Sequence, residues 1–294
     1  MKNRFTNQEV EFILKNYPSN GIQYCVDVLN KPFKKIKNKI SKLRKSHGLK
    51  LTPELYKKSI SKGHPPKKNE QYAVNPNNFL EIKKKEVSYL LGLIWADGYV
   101  YRGKNQNNIE VSMVSEDLEK IKDIFYDTGK WISYYRCRGN NRKPIMRIST
   151  TNKILCSFLI ENDYVSKGTS SADKIISKIP NDLKHYWFRG IVDGDGCFYI
   201  NKKNKCYQFS IASSFEQDWT FVENIFKELN INYSIKRRTQ LRNNKINKSS
   251  VIRITNKNDI IKFGNYIYNG YSQDKMGLNR KYEKYLEIND AQLI

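Results

Sequence analysis

A nine-residue pattern occurs twice in this chain, and any fold has to accommodate both copies in the same way. Leu90–Gly98 reads LLGLIWADG and Phe188–Gly196 reads FRGIVDGDG. The offset of 98 that carries Asp97 onto Asp195 also carries Gly92 onto Gly190, Ser112 onto Ser210 and Ser115 onto Ser213. Ile124-Phe125 match Ile225-Phe226 at an offset of 101. Ile132-Ser133 and Arg136 match Tyr233-Ser234 and Arg237 at 101, and Arg147-Ile148 match Arg253-Ile254 at 106. Matches that keep their order over such a stretch imply a duplicated structural unit. The rising offset places a few extra residues after the first hairpin of the second copy and gives that copy a longer last hairpin.

Hydrophobic periodicity gives each copy one pattern. A short helix ends in the glycine-acid motif. Strands follow at about 99–101 with 109–114 in the first copy, and 197–201 with 207–212 in the second. A helix comes next, at about 116–126 and 215–229. Two more strands are expected at about 131–138 with 144–150, and 231–238 with 251–255, before a closing helix. The fold class is therefore α+β, a duplicated αββαββα unit with pseudo-twofold symmetry. Strand alternation leaves one face of each sheet polar.

The motif itself carries packing and chemistry together. Gly92 and Ala96 are four residues apart, as are Gly190 and Gly194. Residues four apart share a helix face, and small ones let a second helix approach closely. If the two motif helices pack along this face, Asp97 and Asp195 arrive at the same end of the seam. Each then sits at the partly negative end of its helix. Carboxylates crowded there repel unless cations neutralise them, and Mg²⁺ suits such an oxygen-rich place.

These two motifs and the repeat around them resemble the LAGLIDADG homing endonucleases over about Phe79 to Leu286. The second motif matches closely. The first keeps its glycine, its apolar positions and the final Ala-Asp-Gly, but places Trp95 where the family often has an acid. The resemblance implies a site-specific endonuclease that makes double-strand breaks in DNA by metal-dependent hydrolysis. It implies two or three divalent ions, Mg²⁺ with Mn²⁺ as a substitute, held by Asp97, Asp195 and the backbone of Gly98 and Gly196. Lys167 and Lys281 resemble the basic residue that the family places beside each metal centre. The sheets would straddle double-stranded DNA, with Arg136, Arg138, Arg142 and Arg147 reading from the first copy. Arg237, Arg238, Arg242 and Arg253 would read from the second. Both motifs lie in one chain, so a monomer is expected. A LAGLIDADG-type intron RNA maturase, or a regulator that binds DNA without cutting it, is the alternative.

Charge divides the chain. Its formal net charge is +24, from 53 Lys and Arg against 29 Asp and Glu. Residues 1–85 hold 20 of those bases and 6 of the acids. An excess of this size points to a polyanionic partner. Residues 1–50 read as a small helical domain. Thr6 and Glu9 form a capping box, Pro18 to Gly21 breaks the chain, and a second helix fits Ile22 to Leu29. A third helix from about Phe33 to Ser46 sets Ile36, Ile40 and Leu43 on one face. Lys34, Lys35, Lys37, Lys39 and Arg44 lie elsewhere on it. Three short helices ending in a basic one resemble a Myb/homeodomain-like helix-turn-helix, whose last helix would enter the major groove. Residues 51–78 read as a basic linker, 79–168 as the first repeat and 169–294 as the second.

Other classes find no support. No run of about 18 apolar residues would make a membrane span, and MKNRFTNQEVEF lacks the apolar core of a signal peptide. Five scattered cysteines without CxxC spacing suggest reduced thiols in an intracellular protein. An intracellular, cytoplasmic setting is expected, with an organelle as the alternative. His47, His64 and His185 show no ligand spacing and are expected to be non-catalytic.

Overall fold

A computed structural model describes residues 5–52, 74–103, 107–136, 143–242 and 245–290. Most of the expected linker, Cys137, Arg138, Arg142 and His64 lie outside the described residues, as does the side chain of Arg242. The chain divides into two compact units, split after Gln71.

The first unit contains helices α1 (Asn7–Leu29) and α2 (Phe33–His47). The expected capping box is present: the Glu9 amide donates to Thr6 Oγ1 (3.2 Å), and the Thr6 amide to Glu9 Oε2 (2.8 Å). Pro18 lies inside α1, so the interruption falls later, at Gly21, whose φ of 79° and ψ of −175° are non-helical. Only glycine adopts such a conformation readily. Three helical segments result, as the sequence suggests. They share a core of Ile13, Tyr17, Cys25, Ile36, Ile40, Leu43 and Leu49.

The second unit begins earlier than expected. Val74 and Phe79 belong to its core, and helix α3 (Pro76–Glu81) is capped by Asn75. Asn152 Nδ2 donates to Val74 O at 3.1 Å. The linker therefore gives up residues 74–78 to this unit.

Then follow α4 (Lys85–Asp97), β1 (Gly98–Arg102), β2 (Asn107–Val114), α5 (Ser115–Tyr126), β3 (Ile132–Arg136), β4 (Ile145–Thr150) and α6 (Lys153–Glu161). Helix α7 (Asp173–Ile176) and a 3-10 turn lead to α8 (Lys184–Asp195), and the pattern repeats. It runs β5 (Gly196–Asn201), β6 (Cys206–Ser213), α9 (Thr220–Glu228), β7 (Ser234–Arg242), β8 (Lys245–Ile254) and α10 (Lys257–Ile267). Helices α11 (Tyr271–Asp274) and α12 (Asn279–Asp290) close the chain's described part. The duplicated αββαββα order is thus present. Both sheets are antiparallel with equivalent strand orders, β1-β2-β4-β3 and β5-β6-β8-β7. The longer last hairpin of the second copy is seen in β7 and β8, which pair from Ser234↔Arg253 to Arg242↔Lys245.

Helices α4 and α8 form the seam between the copies. Residues 87–95 of α4 are all buried, as befits a helix that is apolar on every side. A β-carbon at Gly92 would overlap the carbonyl oxygen of Trp187 and lie 3.2 Å from the Ile191 nitrogen. One at Gly190 would overlap Tyr89 O and lie 2.7 Å from the Leu93 nitrogen. A β-carbon at Gly194 would overlap that of Ala96. The four small residues therefore face one another, and the two main chains touch. Tyr89 Oη donates to Asp193 Oδ2 (2.8 Å), tying the same helices, and Ser88 Oγ donates to Leu183 O (2.7 Å) in the 3-10 turn just before α8.

A methyl group at position 190 would press on main-chain atoms, which cannot rotate away. Gly190→Ala is expected to destabilise the second unit by about 1–3 kcal/mol or more, read from the urea midpoint. An unchanged midpoint would mean that the helices are not in main-chain contact.

Candidate active site at the helix seam

Each seam helix ends in its aspartate and turns straight into a strand. Gly98 and Gly196, the residues after the aspartates, are already extended, with φ/ψ of −80/151° and −75/147°. The last carbonyls of each helix therefore have no left-handed cap to satisfy them. A lysine does this instead. Lys167 Nζ donates to the carbonyls of Ile94 (3.3 Å), Ala96 (2.8 Å) and Gly98 (2.6 Å). Lys281 Nζ donates to those of Val192 (2.5 Å), Gly194 (3.5 Å) and Gly196 (2.9 Å), and to Asp193 O (2.7 Å). Ile94, Ala96 and Gly98 are offset from Val192, Gly194 and Gly196 by the same 98 residues, so the two lysines do equivalent work. A cation at a helix C-terminus is favourable, and here its hydrogens are used up by carbonyls.

The electrostatics follow. Burial lowers Lys167 to about 8, against the pull of Asp195 and Asp97. Burial also lowers Lys281, opposed first by Asp193. Asp97 is raised, chiefly by burial, in spite of both lysines. Asp195 is pushed up to about 6, first by burial and then by Asp97. Asp97 therefore bears on Asp195, and Asp117 adds to the rise of Asp97. Asp97 also lies against the other helix: a β-carbon on Gly194 would sit 3.3 Å from its Oδ2. Asp195 nonetheless remains exposed on one side, so a ligand can reach it. A cavity of about 240 Å³ opens there, lined by Trp95, Lys167, Asp195, Trp219 and Phe221 among others.

These donors suit a hard divalent cation. Two mutually repelling, reachable carboxylates leave most coordination positions to water or phosphate oxygens, as Mg²⁺ prefers. No group of three or more His, Cys, Asp and Glu occurs among the described residues, which gives no support to a closed zinc-type cage. The carbonyls of Gly98 and Gly196 both accept from lysine, although a carbonyl oxygen keeps a second lone pair.

Several features escape a reading of the sequence. Asp193 is buried, with Oδ2 accepting from Tyr89 and from the Leu278 amide (2.8 Å), just before the helix that bears Lys281. Trp95 holds the equivalent place in the first copy and packs edge-on against Tyr164 at 5.0 Å. Arg189 is fully buried, and its donors reach Ile267 O, Asn269 O, Met276 O and Asp274. Arg280 makes a bidentate pair with Asp117 of the other copy, at 2.8 and 2.7 Å. No spacing rule signals such long-range partners.

The expected DNA contacts separate under the structure. Lys34, Lys35 and Lys37 are exposed on α2. Lys39 is half-buried with its ammonium 5.9 Å from the Phe5 ring centre. Arg44 is hydrogen-bonded to Tyr17 Oη and lies over that ring, which ties it to its own unit. Arg136, Arg147, Arg238 and Arg253 lie on the open sheet faces, turned away from the helices. Arg237 does not: it is in register with buried Ser250, and its Nε donates to Phe215 O at 3.0 Å. Its assignment as a base reader is therefore corrected. Ser112↔Arg147 and Ser210↔Arg253 are equivalent pairs, and the strand facing each arginine then aligns Tyr134 with Ser234. Arg136 thus corresponds to Lys236, one residue away from the match by identity. A shift of one residue moves a side chain to the other sheet face.

Residues 182–268 match the family model of the LAGLIDADG-like domain. The matched segment lies within the second copy, and the first copy repeats that copy's element order and strand order. Among curated proteins none matches the chain. Among solved structures, the chain is similar to the homing endonuclease I-WcaI bound to its DNA recognition sequence. That likeness has 17% identity and a TM-score of 0.45, and covers 78% of this chain and 97% of that one. A variant of the homing endonuclease I-DmoI, in complex with its target DNA in the presence of 2 mM Mg, is 19% identical. Its TM-score is 0.42, over 62% of this chain and 95% of that one. The N-terminal LAGLIDADG domain of WhiA is 20% identical with a TM-score of 0.39, over 62% and 80% of the two chains.

The raised pKa of Asp195 gives a signed pH dependence. Above about pH 6 the carboxyl is charged in the folded, metal-free protein and bears both burial and the repulsion of Asp97. As pH falls from there towards its unfolded value, about 3.9, the folded state takes up the proton first and the penalty disappears. Asp195→Asn is therefore expected to raise the melting temperature at pH 8 without divalent ions. Near pH 4 the difference should vanish. Equal melting temperatures at pH 8 would show that the carboxylate is unstrained.

Proposed function

We propose that this protein is a site-specific endonuclease that makes double-strand breaks in DNA with Mg²⁺, and with Mn²⁺ as a substitute. The observation that carries the reading is the pairing of Asp97 and Asp195 at one end of a seam that glycines hold at main-chain contact. Both aspartates come from one chain, so a monomer completes the site. Asp97 and Asp195 would hold a divalent ion, which would polarise a phosphate oxygen and lower the pKa of a water. The chain's own contribution is geometric and electrostatic. Asp97 and Asp195 hold two negative charges in a reachable cleft, which favours cation entry. Lys167 and Lys281 fix the helix ends that carry the aspartates and keep positive charge beside the phosphates. The two sheets start at Gly98 and Gly196, next to the aspartates, and offer polar faces to a duplex on either side of the cut. Helix α2 of the first unit adds a basic surface through Lys34, Lys35 and Lys37, in keeping with a helix-turn-helix that grips the same DNA.

Incubation with a randomised duplex library and Mg²⁺, followed by sequencing of cut ends, tests the activity. Asp97→Asn and Asp195→Asn are each expected to retain duplex binding and lose double-strand cutting. Binding with no cutting by the unaltered protein, at any divalent ion, would favour a non-cleaving regulator instead.

Replacing Lys34, Lys35 and Lys37 together by Gln is expected to weaken duplex binding and flatten its salt dependence. Every phosphate that these lysines no longer neutralise should reduce the slope of log affinity against log salt by about 0.9. Cutting at saturating protein should persist. Unchanged affinity, measured by fluorescence anisotropy across a salt series, would remove the first unit from the DNA interface.

A further inference from the structure

We propose that the two sheets read their halves of the target unequally at one pair of equivalent positions: Arg253 in the second sheet favours guanine, whereas Glu110 ties up Arg147 in the first, whose tyrosine and isoleucine neighbours favour thymine. The inference rests on the duplex-DNA reading above and adds the kind of sequence that the site selects.

Cross-strand partners share a sheet face, so the register assigns side chains to faces. In the second sheet, Phe209 and Ile252 mark the buried face. The opposite face holds Lys236 (paired with Val251), Arg238 (with Ser249) and Arg253 (with Ser234). Strands β5 to β8 contain no Asp or Glu. These cations therefore have no carboxylate within their own sheet.

The first sheet keeps one such cation, exposed Arg136 in the place of Lys236, and shares a tyrosine with the second (Tyr101 and Tyr199), but it differs around Arg147. Its open face presents Tyr99, Tyr101, Ile132 and Tyr134, which are 57%, 46%, 60% and 41% exposed. Tyr99 and Tyr101 stack at 6.3 Å with an interplanar angle of 6°. Arg147, the counterpart of Arg253, is already engaged: its Nη1 lies 3.0 Å from Glu110 Oε1. Tyr134 Oη donates to Glu110 Oε2 at 2.8 Å, and the guanidinium lies 6.0 Å from the Tyr134 ring centre. The offset of 98 puts Gln208 at the place of Glu110. One carboxylate thus separates two equivalent arginines: it ties up Arg147 in the first copy, and an amide leaves Arg253 unpaired by charge in the second.

The bases accept these two surfaces unequally. Guanine presents two acceptors in the major groove, O6 and N7, which fit a guanidinium or an ammonium, whereas thymine presents a methyl group to apolar side chains. A β-ribbon fits that groove. The face of free cations therefore matches guanine. The patch of tyrosines and isoleucine around neutralised Arg147 matches thymine.

The test is selection of a randomised duplex library by the full-length protein in EDTA, so that cutting plays no part, followed by sequencing. The expected consensus has a guanine opposite Arg253 and a thymine at the equivalent position in the other half. Arg253→Gln should erase that guanine preference, on the order of tenfold, and leave the thymine half unchanged. Glu110→Gln imports the side chain of the second copy and frees Arg147, so a guanine preference should appear in the thymine half. A consensus with the same bases in both halves would overturn the proposal, as would a consensus unmoved by both variants. In either case the duplex-DNA reading stands. Failure to enrich any duplex would overturn that reading, and this proposal with it.

Discussion

The main-chain contact between helices α4 and α8 is the constraint on which the rest of this unit depends. Gly92 faces the carbonyl of Trp187 and Gly190 that of Tyr89, so neither position has room for a side chain. Because the contact is backbone to backbone, it fixes the helices along their axes as well as across them. Asp97 and Asp195 are the last residues of those helices and inherit that alignment. The strands that follow begin at Gly98 and Gly196, so each sheet is set by the same seam. Packing, the acid pair and the placement of both sheets thus come from one close approach.

That arrangement costs electrostatic free energy, and the protein offsets it locally. Two helix ends, two carboxylates and a run of unsatisfied carbonyls gather in one place. Lys167 and Lys281 answer the carbonyls but not fully the carboxylates, both of which remain raised. The residual negative character is what a divalent cation would relieve. The two halves support their lysines differently. In the second, Asp193 accepts from the Leu278 amide just ahead of the helix bearing Lys281, close against Gly277, whose φ of 129° disfavours other residues. In the first, Trp95 packs on Tyr164, whose hydroxyl donates to Leu91 O. One support is a buried carboxylate and the other an aromatic pair, within a frame that is otherwise repeated.

Much of this was legible in the sequence because the signals were local or repeated. The glycine spacing gave the seam, the Asp-Gly ends gave the acid pair, and strand alternation gave both sheets, except that the last hairpin is longer than expected, β8 already starting at Lys245. Lys167 and Lys281 were legible only through a family resemblance, since they act on carbonyls about 70 and 85 residues away. Arg237 shows where identity misleads. It matches Arg136 by letter, yet strand register aligns Arg136 with Lys236, and one residue of slip decides which face is occupied. Arg189 and Asp193 were invisible for another reason. A charge inside an apolar helix looks anomalous until the partners from residues 267–278 are seen around it.

The central claim is that Asp97 and Asp195 of one chain share a divalent metal site when DNA is bound. Anomalous scattering at the manganese edge, from crystals of the full chain with a selected duplex and Mn²⁺, tests it most directly. The account predicts anomalous density in contact with both carboxylates of a single chain, next to the DNA backbone. Density at a site that touches neither aspartate, or aspartates of one chain each serving a separate site with a second protein copy, would contradict it.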